Sequence, residues 1–163
     1  MDNRTRRMLM LSLLAASGLF TLLYPVMGYL GVNATLANAS TNATILAQYH
    51  KLAAEYPNAN LTLSQFLNDI YISTILVFAV MAVLGIAVIL VTLLKLNGVF
   101  ELMEGGKGRV WFIAIIVILI VESLLGVGTV PIDLAMVTGW LGVLLGYVWF
   151  KDAIIPPKTK PAV

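Results

Sequence analysis

The chain has 163 residues, of which 60 % are hydrophobic and 11 % charged, with a net charge of +2 and a mean hydropathy of +0.96. A soluble globule of that composition would expose very large apolar patches, so lipid is the expected solvent. Cysteine is absent, which excludes a disulfide framework, thiolate metal sites and cysteine-based catalysis.

Four long apolar runs, Met8 to Leu30, Ile70 to Leu94, Val110 to Val127 and Ile132 to Phe150, follow one another along the chain. Each is close to the ~20 residues that a helix needs to cross hydrocarbon. A spanning strand would have ~10 residues of alternating polarity, whereas Ile113 to Val121 is apolar at every position. The expected fold class is therefore an all-α integral membrane protein, a single membrane domain with four transmembrane helices over 8–30, 70–94, 110–127 and 132–150.

The first run follows Arg4, Arg6 and Arg7. This start also has the form of a secretory signal. However, the small residues Ala15, Ala16, Ser17 and Gly18 stand mid-run, and apolar character continues to Leu30, so a retained anchor is expected.

Residues 31–69 form the largest polar segment and hold Asn33-Ala-Thr35, Asn38-Ala-Ser40, Asn42-Ala-Thr44 and Asn60-Leu-Thr62, all acceptor patterns for N-glycosylation. Eight Asn and 17 Ser and Thr in 163 residues predict about one such triplet by chance. Five occur, four of them here. N-linked glycans on Asn33, Asn38, Asn42 and Asn60 are the expectation, while Asn3-Arg-Thr5, on the other side of the membrane, should stay unmodified. Within this segment Ile45, Tyr49, Leu52 and Tyr56 recur at helical spacing. They predict a short helix from about Thr44 to Tyr56, stopped by Pro57, lying on its own bundle. Thr62 and Gln65 form a capping box, which starts the second spanning helix near Leu63.

Asn97-Gly98 is expected to break that helix, with an interfacial turn over Val99 to Glu104 and a flexible Gly105-Gly106-Lys107-Gly108 segment after it. These glycines do not make a phosphate-binding loop, because Glu101 stands where the pattern needs glycine and Gly108 where it needs Ser or Thr. Glu122 is the one ionisable residue deep inside a run. An acid in lipid normally faces protein or water. Its structural reading is a protonated carboxyl hydrogen-bonded to Ser73, Thr74 or Thr138; the alternatives are a basic partner on another subunit, or an ion or proton path. In the fourth run Ala135, Gly139, Gly142 and Gly146 share one stripe. A neighbouring helix packs closely there, either within the chain, with Ala82 and Gly85 as complements, or from another subunit. Asp133 suits the first turn of this helix. The tail, 151–163, is basic and proline-rich.

Nine of the ten basic residues fall before the first run, between the second and third, or after the fourth; only Lys51 lies opposite. By the positive-inside rule both termini and residues 95–109 are cytoplasmic, while 31–69 lies outside a plasma membrane. Tyr29 and Tyr71 flank the outer boundary and Trp111 and Trp149 the inner one. Basic residues grouped in twos and threes at helix ends orient a chain in a bilayer, so no nucleic-acid partner is expected. A bare, cysteine-free outer segment favours an archaeal or bacterial membrane.

His50 is the sole histidine, so a bis-histidine haem or a histidine metal cluster cannot be built and no cofactor is expected. No nucleophile, base and oxyanion donors can be named in one layer, which argues against an enzyme. The first functional expectation is a non-catalytic integral subunit of a larger membrane assembly, such as a respiratory or other redox complex. It would supply scaffold, lipid seal and a glycosylated outer cap beside other integral subunits. The alternatives are a homo-oligomeric channel or small transporter using Glu122, and a viral or cellular envelope glycoprotein.

Overall fold

The computed structural model describes residues 1–38, 41–102, 106–126 and 128–155. All regular structure among them is helical. The chain divides into two compact units, Met1–Tyr24 with Met81–Val163, and Pro25–Val80. Three helices are long and apolar enough to cross a membrane: Asn3–Ala34, Leu63–Leu102 and Val130–Trp149. The Asn38-Ala-Ser40 triplet, the expected turn and linker at Met103, Glu104 and Gly105, Val127, and the tail from Pro156 onward lie wholly or partly outside the described residues.

Helix α1 runs over Asn3–Ala37, well past the expected end at Leu30, because the polar residues after the apolar run continue the same helix. At its start the Thr5 N–H donates to the Asp2 carboxylate at 2.7 Å, an N-cap bond. The hydroxyl and N–H of Thr5 hold that carboxyl below its ordinary range. Pro25 lies inside the helix and has no N–H for the carbonyl of Thr21, four residues back.

In the Pro25–Val80 unit, α2 spans Ala43–Glu55, capped by the Asn42 side chain, whose oxygen accepts from the N–H groups of Thr44 and Ile45. A short 3-10 turn at Pro57–Ala59 ends on Asn60 with φ 46° and ψ 38°, a left-handed conformation that Asn tolerates better than most residues. The chain then folds back. The Tyr49 hydroxyl donates to the Leu61 carbonyl at 3.0 Å, and the Tyr49 and Phe66 rings lie 5.8 Å apart. Tyr49 thus ties α2 to the start of α3, which spans Leu63–Leu90, while Leu52 and Tyr56 of the same expected face are exposed. Thr62 and Gln65 make the capping box, with the Gln65 N–H on Thr62 Oγ1 at 3.2 Å and the Thr62 N–H on Gln65 Oε1 at 3.0 Å.

Asn97-Gly98 does not break the second long helix. Residues Val91–Leu96 adopt a π-helical turn, closed by the Asn97 N–H on the Thr92 carbonyl, and the chain continues into α4, Asn97–Leu102. A π turn absorbs an extra residue without ending the backbone ladder. Helix α5 covers Arg109–Leu125, α6 covers Val130–Trp149, and α7 is the short Lys151–Ile154. At 17 residues, α5 is roughly 25 Å long at ~1.5 Å per residue. Asp133 lies in the first turn of α6 and its N–H bonds the Thr129 carbonyl; no side chain caps this helix.

In the larger unit the ends of four helical segments meet. Arg7 Nη1 on α1 pairs with Glu101 Oε2 on α4 at 3.3 Å. The Arg6 guanidinium lies 6.0 Å from the Trp149 ring centre, and the Lys95 ammonium 5.5 Å from that of Trp111. Behind them Phe100 and Phe150 stack at 4.8 Å, and the Gly108 N–H donates to the Ala153 carbonyl at 3.1 Å, seating α7. The start of α1, α4, the start of α5 and the end of α6 therefore share one end, as an up-and-down bundle requires.

Candidate functional site

Three stripes of buried residues face one another inside this unit. Met10, Leu14, Ser17 and Thr21 on α1, spaced 4, 3 and 4, are all 0 % exposed. Phe112, Ile115, Leu119 and Glu122 are the buried positions of α5, and the stripe Ala135, Gly139, Gly142, Gly146 is buried on α6. The spacing follows the helical repeat, so each stripe points to one side.

The stripes meet layer by layer. A Cβ on Gly146 would meet Phe112 Cε2 at 2.8 Å and Met10 Sδ at 2.9 Å; on Gly142 it would meet Leu14 Cδ2 at 2.8 Å. On Gly139 it would meet Leu119 Cδ2 at 2.6 Å and Ser17 Oγ at 2.7 Å. The small stripe is thus filled by α1 and α5 of the same chain, and glycine is needed because large side chains occupy the space a Cβ would take. The expected complements, Ala82 and Gly85, are not what fills it. Gly85 instead crosses Gly18 of α1: a Cβ on either would stand 2.7–2.8 Å from the other's carbonyl oxygen. That second close crossing is not among the sequence-based expectations, although small residues on both helices signal it.

Toward the α5–α6 turn the stripes become polar. Ser17 Oγ donates to the Ala135 carbonyl at 2.7 Å, linking α1 to α6, and Thr21 Oγ1 donates to the Ser17 carbonyl at 3.1 Å. Glu122 is 0 % exposed, and neither of its carboxyl oxygens has a hydrogen-bond partner. Thr21 lies beside it, but the Thr21 proton is already given to Ser17.

The partners expected for Glu122 are engaged elsewhere. Ser73 Oγ donates to the carbonyls of Asp69 and Ile70, Thr74 Oγ1 to that of Ile70 at 2.7 Å, and Thr138 Oγ1 to that of Leu134 at 2.8 Å. Such bonding to a carbonyl three or four residues back is the default for a hydroxyl on an apolar helix, where no water competes. The readable signal for the actual neighbour was the 4, 3, 4 spacing that puts Ser17 and Thr21 on the Met10 and Leu14 stripe. A buried carboxyl with unused lone pairs, beside the Thr21 hydroxyl, has the chemistry to take a proton or a small cation.

The glycosylation candidates belong to the Pro25–Val80 unit. Asn33 is exposed within α1. Asn38 Nδ2 donates to the Ala34 carbonyl at 3.2 Å. Asn42 caps α2 through its oxygen, which leaves the nitrogen, the atom a glycan would take. Asn60 is exposed on its left-handed turn. No group of three His, Cys, Asp or Glu among the described residues could hold a metal ion.

The class these observations define is a helical protein with helices apolar and long enough for a membrane. No family model, curated protein or solved structure matches the chain.

Proposed function

We propose that the chain is a non-catalytic integral subunit of a larger assembly in a plasma membrane, for example a respiratory or other redox complex. In this reading α1, α3, α5 and α6 span the bilayer, both termini are cytoplasmic, and the segment carrying Asn33, Asn38, Asn42 and Asn60 is a glycosylated outer cap. The 17 residues of α5 fall at the short end of the ~17–25 that suffice to cross.

The observation that carries the reading is the apolar surface. Ser17, Thr21, Thr92 and Glu122 are buried, whereas Val83, Leu94, Val117, Leu124, Val137, Leu144 and Val148 are each more than half exposed. Such a bundle is closed on itself and covered with branched and long apolar side chains, which suits it to hold neighbours and to seal lipid. The basic and aromatic groups at one end support the cytoplasmic placement of that end.

The test is extraction of native membranes in mild detergent, followed by identification of what copurifies with the chain. Larger integral subunits in fixed ratio are expected. A monodisperse monomer of 17.6 kDa would overturn the reading.

One observation favours a second reading, ion or proton handling: the buried, unbonded carboxyl of Glu122. Flux through liposomes that is lost on Glu122→Gln would favour it; flux that survives, or none, removes it.

A further inference from the structure

We propose that the cavity between the first turns of α1 and α4 binds the phosphate headgroup of an anionic membrane lipid. The proposal rests on the membrane reading above. The cavity measures about 460 Å³ and is lined by Asn3, Arg4, Arg7, Phe100 and Glu101. A single water needs only ~10–15 Å³ by the same measure, so the space is ample for a phosphate and its ester.

Its lining has the chemistry of a headgroup site. Asn3, Arg4 and Arg7 lie three and four residues apart, so they share one face of α1. Arg7 is mostly covered, with 18 % of its side chain exposed, while its acidic partner Glu101 is 60 % exposed. Their contact of 3.3 Å is longer than the ~2.7–2.9 Å of a tight charge-assisted bond. A guanidinium has five donors, and one loose contact leaves donors for an oxyanion. Arg4 and Arg7 against Glu101 give the lining one surplus positive charge, which a phosphodiester matches.

The remaining wall is apolar. Phe100, 2 % exposed and stacked on Phe150, forms a floor suited to the glycerol and first methylenes of a lipid rather than to a hydrated free ion. The site lies at the end of the unit where Arg6 lies over Trp149 and Lys95 over Trp111, the aromatic level at which headgroups sit. Basic pockets between helices at that depth bind anionic headgroups.

The experiment is native mass spectrometry of the full chain in neutral detergent, titrated separately with phosphatidylglycerol, phosphatidylcholine and inorganic phosphate. One phosphatidylglycerol should be retained in preference to the other two. Arg7→Gln should weaken it about tenfold and Arg4→Gln about threefold, while Glu101→Gln, which removes the competing carboxylate, should tighten it. Arg4→Gln leaves the Arg7–Glu101 pair intact, so it remains a valid test if Arg7→Gln disturbs the fold, which circular dichroism would report. Equal retention by wild type, Arg4→Gln and Arg7→Gln overturns the proposal, as does inorganic phosphate competing as well as the lipid, which would make the site one for a soluble anion. Failure of the membrane reading is distinguishable, because it would appear beforehand as a chain that stays folded and soluble without detergent.

Discussion

The crossing of α1 and α3 at Gly18 and Gly85 gives the sharpest quantitative expectation. In Gly18→Ala the new Cβ would stand 2.7 Å from the Gly85 carbonyl oxygen and 2.8 Å from Ile89 Cγ1, against about 3.4 Å for ordinary contact. Ile89 can change rotamer, but a backbone carbonyl inside a helix cannot, so the two helices must separate by roughly 0.7 Å, the difference between 3.4 and 2.7 Å. Overpacking of this kind costs about 1–3 kcal/mol, partly offset by the ~1 kcal/mol that alanine gains over glycine in a helix. A net loss of up to about 2 kcal/mol is expected. Gly98→Ala is the control, since its Cβ would have nothing within 4 Å; it should be neutral or stabilised by up to ~1 kcal/mol. The assay is reversible unfolding by SDS titration followed by tryptophan fluorescence, because Trp111, Trp140 and Trp149 all lie on α5 and α6. A Cβ on Gly85 would face the Gly18 oxygen at 2.8 Å, so one separation relieves both clashes and the double variant should lose less than the sum of the singles, by about 0.5 kcal/mol or more. Stability of Gly18→Ala at or above wild type, or strict additivity with Gly85→Ala, would refute the close crossing.

Ser17→Ala removes the 2.7 Å bond from α1 to the Ala135 carbonyl and should lower stability in the same titration by roughly 0.6 kcal/mol, the usual worth of such a bond between membrane helices; a loss above about 2 kcal/mol would mean that Ser17 has a larger role. Glu122→Met fills the same space without a carboxyl and should raise stability by about 1–3 kcal/mol, while a marked loss would reveal a native partner for the acid. At Asn42 the cap and the glycan acceptor use different atoms. Asn42→Asp should therefore abolish any sugar seen by mass spectrometry yet keep α2, whereas Asn42→Ala should abolish the sugar and weaken the helix by about 1 kcal/mol, read as faster amide exchange over residues 43–55; equal exchange in the two variants would refute the cap.

The glycine stripe of α6 was legible because four small residues at one helical spacing are conspicuous among Leu and Val. The matching stripe of α1 was not, although its spacing is the same, because Met10 and Leu14 resemble the exposed Leu19 and Leu23 in every property a residue type conveys. In water, burial separates apolar from polar residues; in lipid that contrast is gone, and size and hydroxyl content become the signal instead. The helix ends were hidden for a related reason. Apolar runs record where hydrocarbon would lie, not where hydrogen-bonded turns stop, so α1 continues through Asn33, whereas the start of α3 at Leu63 was legible because the Thr62 and Gln65 capping box marks it independently of the apolar run. Asn97-Gly98 misled because a π turn over Val91–Leu96 carries the ladder through it.

Glu122 is where these physical rules conflict. In the α5 stripe it takes the place after Leu119, where leucine or methionine would fill the volume and leave no unsatisfied atoms, and three neighbouring layers show that the bundle packs well with such residues. Lipid turns an acid inward but does not require one in this helix, since apolar residues suit both of its faces. Nor does packing require one, because α1 and α6 are already joined by the Ser17 bond to Ala135. Glu122→Met therefore separates stability from function: a variant that is more stable yet loses flux or assembly would locate function at this carboxyl, whereas one that is more stable and fully competent would make the acid dispensable.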